Sequence, residues 1–372
     1  MNLKIAVLAG DGIGPEVTEQ AIKTLKAVEE AYNHNFSFTE APVGAIAIDK
    51  TGDPLPDDTL KLCLDSDAVL FGAIGDPKYD NDPSAKVRPE QGLLKLRKSL
   101  GLFTNIRPIK AYPTLIERSP LREDRILGTD MVIYRELTGG IYFGEKKLNK
   151  KGTTASDLCE YSEYEIERIA HLAFKAARTR KKKLTLVDKA NVLETSRLWR
   201  KIVTNIGKSY EDVELDFLFV DNAAMQMILN PSQFDVILTE NMFGDIISDE
   251  GSVIGGSIGL LASASVGDEN AMFEPIHGSF PQGAGKDIAN PIASILSAAM
   301  LLEHFNLHEE AQAINKAVEK ALEMKVVTSD LEEDSKYGTE KVGSFIADYI
   351  ANAEEIINYN QENIDYGQST II

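Results

Sequence analysis

Asp245 and Asp249 stand four residues apart in Asn241-Met242-Phe243-Gly244-Asp245-Ile246-Ile247-Ser248-Asp249, a segment that follows a strand pattern and opens a helix. That spacing places both carboxylates on one helical face. Such a pair can ligate Mg2+ or Mn2+, hard cations that take oxygen donors and keep waters for a substrate to displace. Aspartates there are also favoured simply by the dipole at a helix N-terminus. Asp221 closes the strand pattern at 215–220. Strand ends are where open α/β sheets bind ligands, which favours the metal reading.

Three arginines lie in comparable settings. Arg97 falls in a helix pattern over 90–100, Arg107 precedes Pro108 where the strand-like 103–106 is expected to end, and Arg135 ends the strand pattern 131–134. Taken singly, each also reads as a surface ion pair. Guanidinium groups at strand ends suit bidentate carboxylate recognition, and beside three aspartates they suggest a di-acid substrate. Lys189, in Val187-Asp188-Lys189-Ala190-Asn191-Val192, is either a desolvated base or a partly exposed partner of Asp188. Tyr142, in Gly139-Gly140-Ile141-Tyr142-Phe143-Gly144, is either an acid–base group or a packing tyrosine. Glu274-Pro275-Ile276-His277-Gly278-Ser279 and the segment from Gly283 to Pro291 bracket a glycine-rich loop ahead of a helix. Backbone N–H groups in such a loop can approach a phosphate or an adenine closely.

The elements that must position these groups alternate. Buried-strand runs at 5–9, 68–73, 131–134, 184–187, 215–220 and 236–239 lead into helix patterns, among them an amphipathic one over 164–179. That alternation implies an α/β sheet with helices on its faces. Helices are expected over 291–304, 309–324 and 339–358, and a hinge or domain crossing near the small-residue stretch 251–267. Gly10-Asp11-Gly12-Ile13-Gly14 imitates a dinucleotide fingerprint, but its spacing is GxGxG rather than GxGxxG. A tight turn between strand and helix, in contact with a ligand or not, is the alternative.

With 372 residues the chain is long enough for two domains at roughly 100–200 residues each. A net charge of -19 argues against broad binding to nucleic acid or an anionic membrane, since phosphates need a basic footprint. The basic run 178–183 follows a helical pattern and reads as a solvated helix end. No stretch approaches the roughly 18 consecutive apolar residues of a membrane span. Cys63 and Cys159 have neither CxxC nor zinc spacing, and the N-terminus lacks a signal-peptide layout, so a cytoplasmic protein is expected.

Together these segments resemble the β-decarboxylating dehydrogenases, the group of isopropylmalate and isocitrate dehydrogenases, from Lys4 to the C-terminal helices. The resemblance rests on Arg135 to Gly144, Val187 to Glu194 and Asn241 to Asp249. It implies an α/β fold of two interleaved α/β domains rather than a Rossmann fold. Residues 1–102 plus 256–372 would form the cofactor-side domain, and 103–255 the dimerisation and metal/substrate domain. Arg97, Arg107 and Arg135 would hold the malate carboxylates. Asp245 and Asp249 would bind Mg2+ or Mn2+ with Asp221 of the other subunit of a homodimer. Asp221 would also serve substrate and catalysis, Lys189 of that subunit would assist removal of the hydroxyl proton, and Tyr142 would assist protonation of the enol after CO2 leaves. NAD would lie along the loop through Glu274, His277, Gly278, Ser279, Gln282, Ala284, Gly285, Ile288, Ala289 and Asn290, with 75–90, including Gly75 and Glu90, on the same side.

Isocitrate-type members usually carry serine and asparagine where this chain has Leu93 and Leu94. With Val192, these leucines would enclose an isopropyl group, so the resemblance implies oxidative decarboxylation of 3-isopropylmalate with NAD. A carboxylate there would be desolvated without a partner. Homoisocitrate would demand a polar group at Leu93 or Leu94, and malate or tartrate would leave the pocket unfilled. A non-catalytic regulatory subunit would have lost catalytic residues that are all present here. Gln282 stands where NAD-dependent members usually have aspartate. The lysine and tyrosine of NADP-type members are also missing from this spot, so NAD remains the expectation.

Overall fold

The computed structural model describes residues 1–80 and 87–352. Twelve strands are present among the described residues: β1 (Asn2–Gly10), β2 (Asn35–Glu40), β3 (Ala68–Ala73), β4 (Thr104–Lys110), β5 (Asp130–Glu136), β6 (Lys146–Leu148), β7 (Ala155–Asp157), β8 (Lys183–Asp188), β9 (Glu214–Phe219), β10 (Val236–Thr239), β11 (Ala262–Val266) and β12 (Ala271–Pro275). Ten of them form one sheet in the order β2-β1-β3-β12-β11-β4-β5-β10-β8-β9, while β6 and β7 form a separate hairpin. The β12–β11, β11–β4 and β4–β5 pairs are antiparallel, and parallel flanks extend on either side. After β10 the chain returns to the first half of the sheet, inserting β11 and β12 between β3 and β4.

Each flank is covered by helices on both sides. β3, Ala-Val-Leu-Phe-Gly-Ala, is buried at every residue, as a parallel strand between two helical layers must be. One core packs β1, β11 and β12 against the Gly14–Ala31, Ile292–His304, His308–Glu323 and Thr339–Ala351 helices. A second packs β5, β8 and β10 against the Glu163–Thr179 and Glu194–Gly207 helices. A third lies on the opposite face beneath the Val220–Leu229 and Asn241–Ser252 helices. The Glu163–Thr179 helix starts at a reciprocal cap, in which Ser162 and Glu165 satisfy one another's backbone N–H groups.

Several expectations are corrected here. The stretch 251–267, where a hinge or domain crossing is expected, carries the chain back to the first half of the sheet and contains β11 in the middle of that sheet. Its serines are buried polar groups met by Asn105, whose Nδ2 donates to Ser263 Oγ at 2.8 Å and Ser265 Oγ at 3.4 Å. Pro108 does not end β4, which runs on to Lys110. β11 pairs with β4 only as far as Ile106, so beyond it that side of the strand tolerates a residue without an N–H. The 339–358 helix is helical through Ala351; its remainder, part of 75–90 and the acidic tail lie outside the described residues.

The Gly10–Gly14 turn closes on the chain itself. Ile13 N donates to Ser279 O at 2.7 Å, and a Cβ at Gly12 (φ +59°) would lie 2.0 Å from that same oxygen. The space a dinucleotide fingerprint leaves for pyrophosphate is therefore filled by the 274–290 loop. Asp11 beside it is buried and accepts from the N–H groups of Ala45, Ile46 and Gly75 at 2.8, 3.0 and 2.9 Å. The basic run is spent on internal pairs, Arg178 with Asp212 and Arg180 with Asp130 and Asp235. Both cysteines are free, and burial pushes the Cys63 thiol up to about 12. No helix among the described residues is long and apolar enough to cross a membrane.

Candidate active site

Strand alternation on β4 and β5 builds the first part of the site. Asn105 is paired across the ladder with Arg135, and Arg107 lies two residues along, so all three share one face. The buried Arg135 guanidinium donates through Nε to Asn241 O at 3.0 Å and through Nη2 to Asn241 Oδ1 at 2.9 Å. Its Nη1 bonds Asp245. Burial pulls Arg135 below its ordinary value, and the adjacent Asp245 carboxylate opposes that pull. Arg107 is held by Asn105 Oδ1 at 2.8 Å, Ser248 Oγ at 2.6 Å and Asp249 Oδ1 at 2.9 Å. Arg97 Nη2 donates to Glu274 Oε1 at 2.6 Å, while its Nε is buried without a partner among the described residues.

The Asn241–Ser252 helix presents Asp245 and Asp249 to these arginines. Its start is fixed by Glu240, whose Oε1 accepts from Phe243 N at 3.1 Å. The exposed Tyr142 donates its hydroxyl to Asp245 Oδ2 at 2.7 Å. That hydrogen bond is the main cause holding the phenol above its ordinary value. Leu93, Arg97 and Arg107 line one cleft together with Ser263, Glu274, His277 and Gly278. Expected substrate and cofactor residues thus meet in a single depression.

Lys189 and Asp221 form a separate pair. Lys189 Nζ bonds Asp221 Oδ1, and that hydrogen bond is the main cause holding the Asp221 carboxyl below its ordinary value. Asp188 is not the partner of Lys189: it is buried and clamped by Arg200, with Nε and Nη2 each at 2.8 Å. Leu94 and Val192 are exposed, and neither lines the cleft that holds Leu93. One chain therefore does not bring Leu93, Leu94 and Val192 around a common ligand. Nor does it assemble Asp221 with Asp245 and Asp249, since no group of three His, Cys, Asp or Glu suited to a metal occurs among the described residues. The pair on the helix nonetheless fits a hard divalent cation. Both are oxygen donors on one face, and Asp249 is largely open to solvent for the waters such an ion retains.

The loop after β12 is partly free and partly committed. His277 Nδ1 lies 3.0 Å from Gly278 O, its Nε2 is buried without a partner among the described residues, and burial pushes the imidazole below its ordinary value. Gln282, Ala284, Gly285 and Ile288 are exposed, and Gly285 N donates to Glu16 Oε1 at 2.7 Å. A Cβ at Gly278 or Gly285 would meet open space, so the backbone there is approachable. Gly75 and Glu90 do come to this side: a Cβ at Gly75 would lie 3.1 Å from Glu90 Oε1 and 3.6 Å from Ser279 Oγ. Ala289 and Asn290 are buried, and the Asn290 side chain is already used, donating to Asp330 at 3.0 Å and accepting from Ile292 N at 3.0 Å. The sequence reading quoted Asn241 and Ser248 within a motif but assigned them no role. Their polarity inside a motif that also carries Asp245 was the available signal.

Comparison with known proteins adds a second line of support. A family profile described as isocitrate/isopropylmalate dehydrogenase matches residues 4–346. The 3-isopropylmalate dehydrogenase of Bacteroides fragilis (strain YCH46) is 54% identical over 355 residues, covering 95% of this chain and 100% of that protein. That of Aquifex aeolicus (strain VF5) is 52% identical over 345 residues, covering 91% and 94%. Among solved structures, an isocitrate dehydrogenase from Methylococcus capsulatus superposes with a TM-score of 0.81 at 35% identity, covering 94% of this chain and 99% of that one. A β-decarboxylating dehydrogenase from Thermococcus kodakarensis, in its apo form, also has a TM-score of 0.81, at 36% identity, covering 96% and 98%.

Proposed function

The chain belongs to the isocitrate/isopropylmalate dehydrogenase family, and we propose that it oxidises and decarboxylates 3-isopropylmalate with NAD, a step of leucine biosynthesis. The observation that carries this reading is the cleft in which Arg97 and Arg107 stand beside Leu93, next to Glu274 and His277. Two guanidinium groups suit two carboxylates, and a leucine suits an apolar substituent. An isopropyl group there gains roughly 0.8 kcal/mol per buried CH2, whereas a third carboxylate would lose its hydration without a partner.

Arg97, Arg107 and Arg135 orient the di-acid. Asp245 and Asp249, with Asp221 of a second copy, would hold Mg2+ or Mn2+, and the loop through His277, Gly278, Ser279, Gln282, Ala284, Gly285, Ile288, Ala289 and Asn290 would hold NAD with Gly75 and Glu90 alongside. When bound, NAD accepts the hydride from C2 and the cation supplies Lewis-acid charge beside the oxygen there. Lys189 of the second copy assists removal of the hydroxyl proton. Tyr142, turned from Asp245 toward the substrate, delivers a proton to the carbon left by CO2.

A homodimer with shared sites follows from the incompleteness of one chain. Leu94 and Val192 are exposed, and so are Met225, Ile228, Leu229 and Ile246 on the neighbouring Val220–Leu229 and Asn241–Ser252 helices. Apolar groups in such number invite a partner surface. We assign residues 1–102 and 256–372 to a cofactor-side domain and 103–255 to a domain for dimerisation, metal and substrate. The free thiols suit the cytoplasm, and the net charge of -19 disfavours nucleic acid and anionic membranes as partners.

The test is NADH formation with 3-isopropylmalate, Mg2+ and NAD, beside isocitrate, D-malate and NADP. Turnover confined to 3-isopropylmalate and NAD, and abolished by a chelator, is the expected result. Preference for isocitrate or D-malate would overturn the argument from Leu93, and preference for NADP the reading of Gln282.

A further inference from the structure

Beneath Tyr142 and Arg135 lies a polar network that touches neither the cleft nor solvent. Tyr161, buried with its ring edge-on to Trp199, donates its hydroxyl to Glu240 Oε2 at 2.9 Å and accepts from Asn241 N at 3.0 Å. Glu240 is buried as well, and its other oxygen caps the helix that carries Asp245. Asn241 reaches in two directions: Oδ1 receives Arg135, and Nδ2 donates to Gly139 O at 3.2 Å.

The Tyr161 ring also shapes the turn leading to Tyr142. Gly140 has φ +75°, and a Cβ on it would lie 2.3 Å from the Tyr161 hydroxyl; one on Gly139 would lie 2.6 Å from the ring. Two absent side chains thus make room for one tyrosine. From the other side, the buried Glu136 accepts from the N–H groups of Thr138 and Gly139 at 2.8 and 2.7 Å. Tyr142 itself is exposed, and its phenol has one hydrogen-bond partner among the described residues, Asp245. Its placement is therefore inherited from the turn.

A buried tyrosine–carboxylate pair costs desolvation, which its hydrogen bonds must offset. What the pair supplies is a single geometry, because each polar atom has one satisfied arrangement. We propose that Tyr161 and Glu240 are positioning residues that hold Tyr142 in the productive arrangement for this reaction. The proposal rests on the role given to Tyr142 under the proposed function.

The experiment is a double-mutant cycle on the full-length chain with Tyr161→Phe, Tyr142→Phe and the combination, reading kcat, KM for substrate, KM for NAD, and Tm. Tyr161→Phe is expected to lower kcat about 10- to 100-fold, the range for removing a supporting hydrogen bond behind a functional group. KM for NAD stays unchanged, since the hydrogen bonds of Tyr161 go to Glu240 and Asn241 rather than to the 274–290 loop. The double variant is expected to turn over within about twofold of Tyr142→Phe alone, because the second change removes support from a group already gone. A merely structural tyrosine would instead multiply the two losses. Multiplicative losses, or a Tyr161→Phe kcat within about twofold of the parent, would overturn the proposal. Glu240→Gln, which keeps shape and one acceptor oxygen, takes the place of Tyr161→Phe if that variant does not fold, and the same outcomes decide. A parent inactive on 3-isopropylmalate sinks the substrate reading instead; the cycle is then run on whichever control substrate the parent turns over.

Discussion

The two groups of functional side chains differ in how far one chain has completed them. Around β4, β5 and the Asn241–Ser252 helix, both arginines have been answered: Arg135 is 7% exposed and bonded to Asn241 and Asp245, and Arg107 has three partners. Just beyond β8 and β9 the Lys189–Asp221 pair faces outward, with Asp221 at 67% and Val192 at 61% exposure. The first region is preorganised, so a di-acid entering it meets fixed dipoles and little reorganisation is needed. The second is offered outward, and a carboxylate so exposed gains little from its lysine in water. Its value comes when another surface excludes that water. The contrast is what the proposed division of the site between two copies requires: one face receives, the other donates.

The most severe way to break that contrast is to damage each face in a different chain. Tyr142→Phe and Lys189→Gln are each expected to lower kcat on the order of 100- to 10,000-fold, the range for a lost acid or base. Unfolding and refolding the two variants together should restore about a quarter of parent activity, because half the dimers are hybrids with one intact site each. Activity that stays at the sum of the two variants would show that each site belongs to one chain.

Within the receiving face, Arg135→Lys keeps the charge and loses the planar fork that reaches Asn241 and Asp245 together. Losing one charged hydrogen bond, about 1.5–3 kcal/mol, should lower kcat/KM for 3-isopropylmalate roughly 10- to 100-fold. Unchanged kcat/KM would mean that the buried fork does not serve the substrate. Leu93→Ser is a smaller change. It should cut discrimination for 3-isopropylmalate over D-malate by ~10- to 200-fold, the scale of an apolar pocket contact. A ratio that does not move would remove Leu93 from the pocket.

The smallest effect concerns stability. Burial raises Glu240 above its ordinary 4.5. A carboxyl raised in the folded chain binds its proton more tightly there than when unfolded. Its contribution to stability is full below the unfolded value and is lost as pH rises through the folded value. Glu240→Gln removes that dependence, so the Tm difference between variant and parent should move in the variant's favour as pH rises from 4.5. Parallel Tm curves across that range would mean that Glu240 ionises equally easily in both states.

What was legible along the chain was local. The run Ala68 to Ala73 announces β3 because six small and apolar residues leave no polar face, and the four-residue spacing of Asp245 and Asp249 places them on one helical face. β11 was not legible, because Ala-Ser-Ala-Ser resembles a loop until Asn105 from another strand satisfies the serines. Pro108 misled for a related reason: whether a strand tolerates proline depends on which neighbour lies on its N–H side. Adjacency in sequence offered Asp188 as one partner for Lys189, but β8 ends at Asp188, whose carboxylate is clamped by Arg200, and Lys189 beyond the strand end reaches Asp221.

The sequence by itself determined the α/β class, the identities of the acids, arginines, lysine and tyrosine, and through its long motifs the family. Those properties follow from short-range patterns and residue chemistry. Tertiary structure alone decided which charge answers which: that Glu274 takes Arg97, that Asn241 ties Arg135 to the turn before Tyr142, and that Asp221 stands apart from Asp245 and Asp249. Coulombic and hydrogen-bonding partners are chosen by distance in space, and the order β3-β12-β11-β4 brings residues more than 150 positions apart into contact. No spacing along the chain encodes that closure.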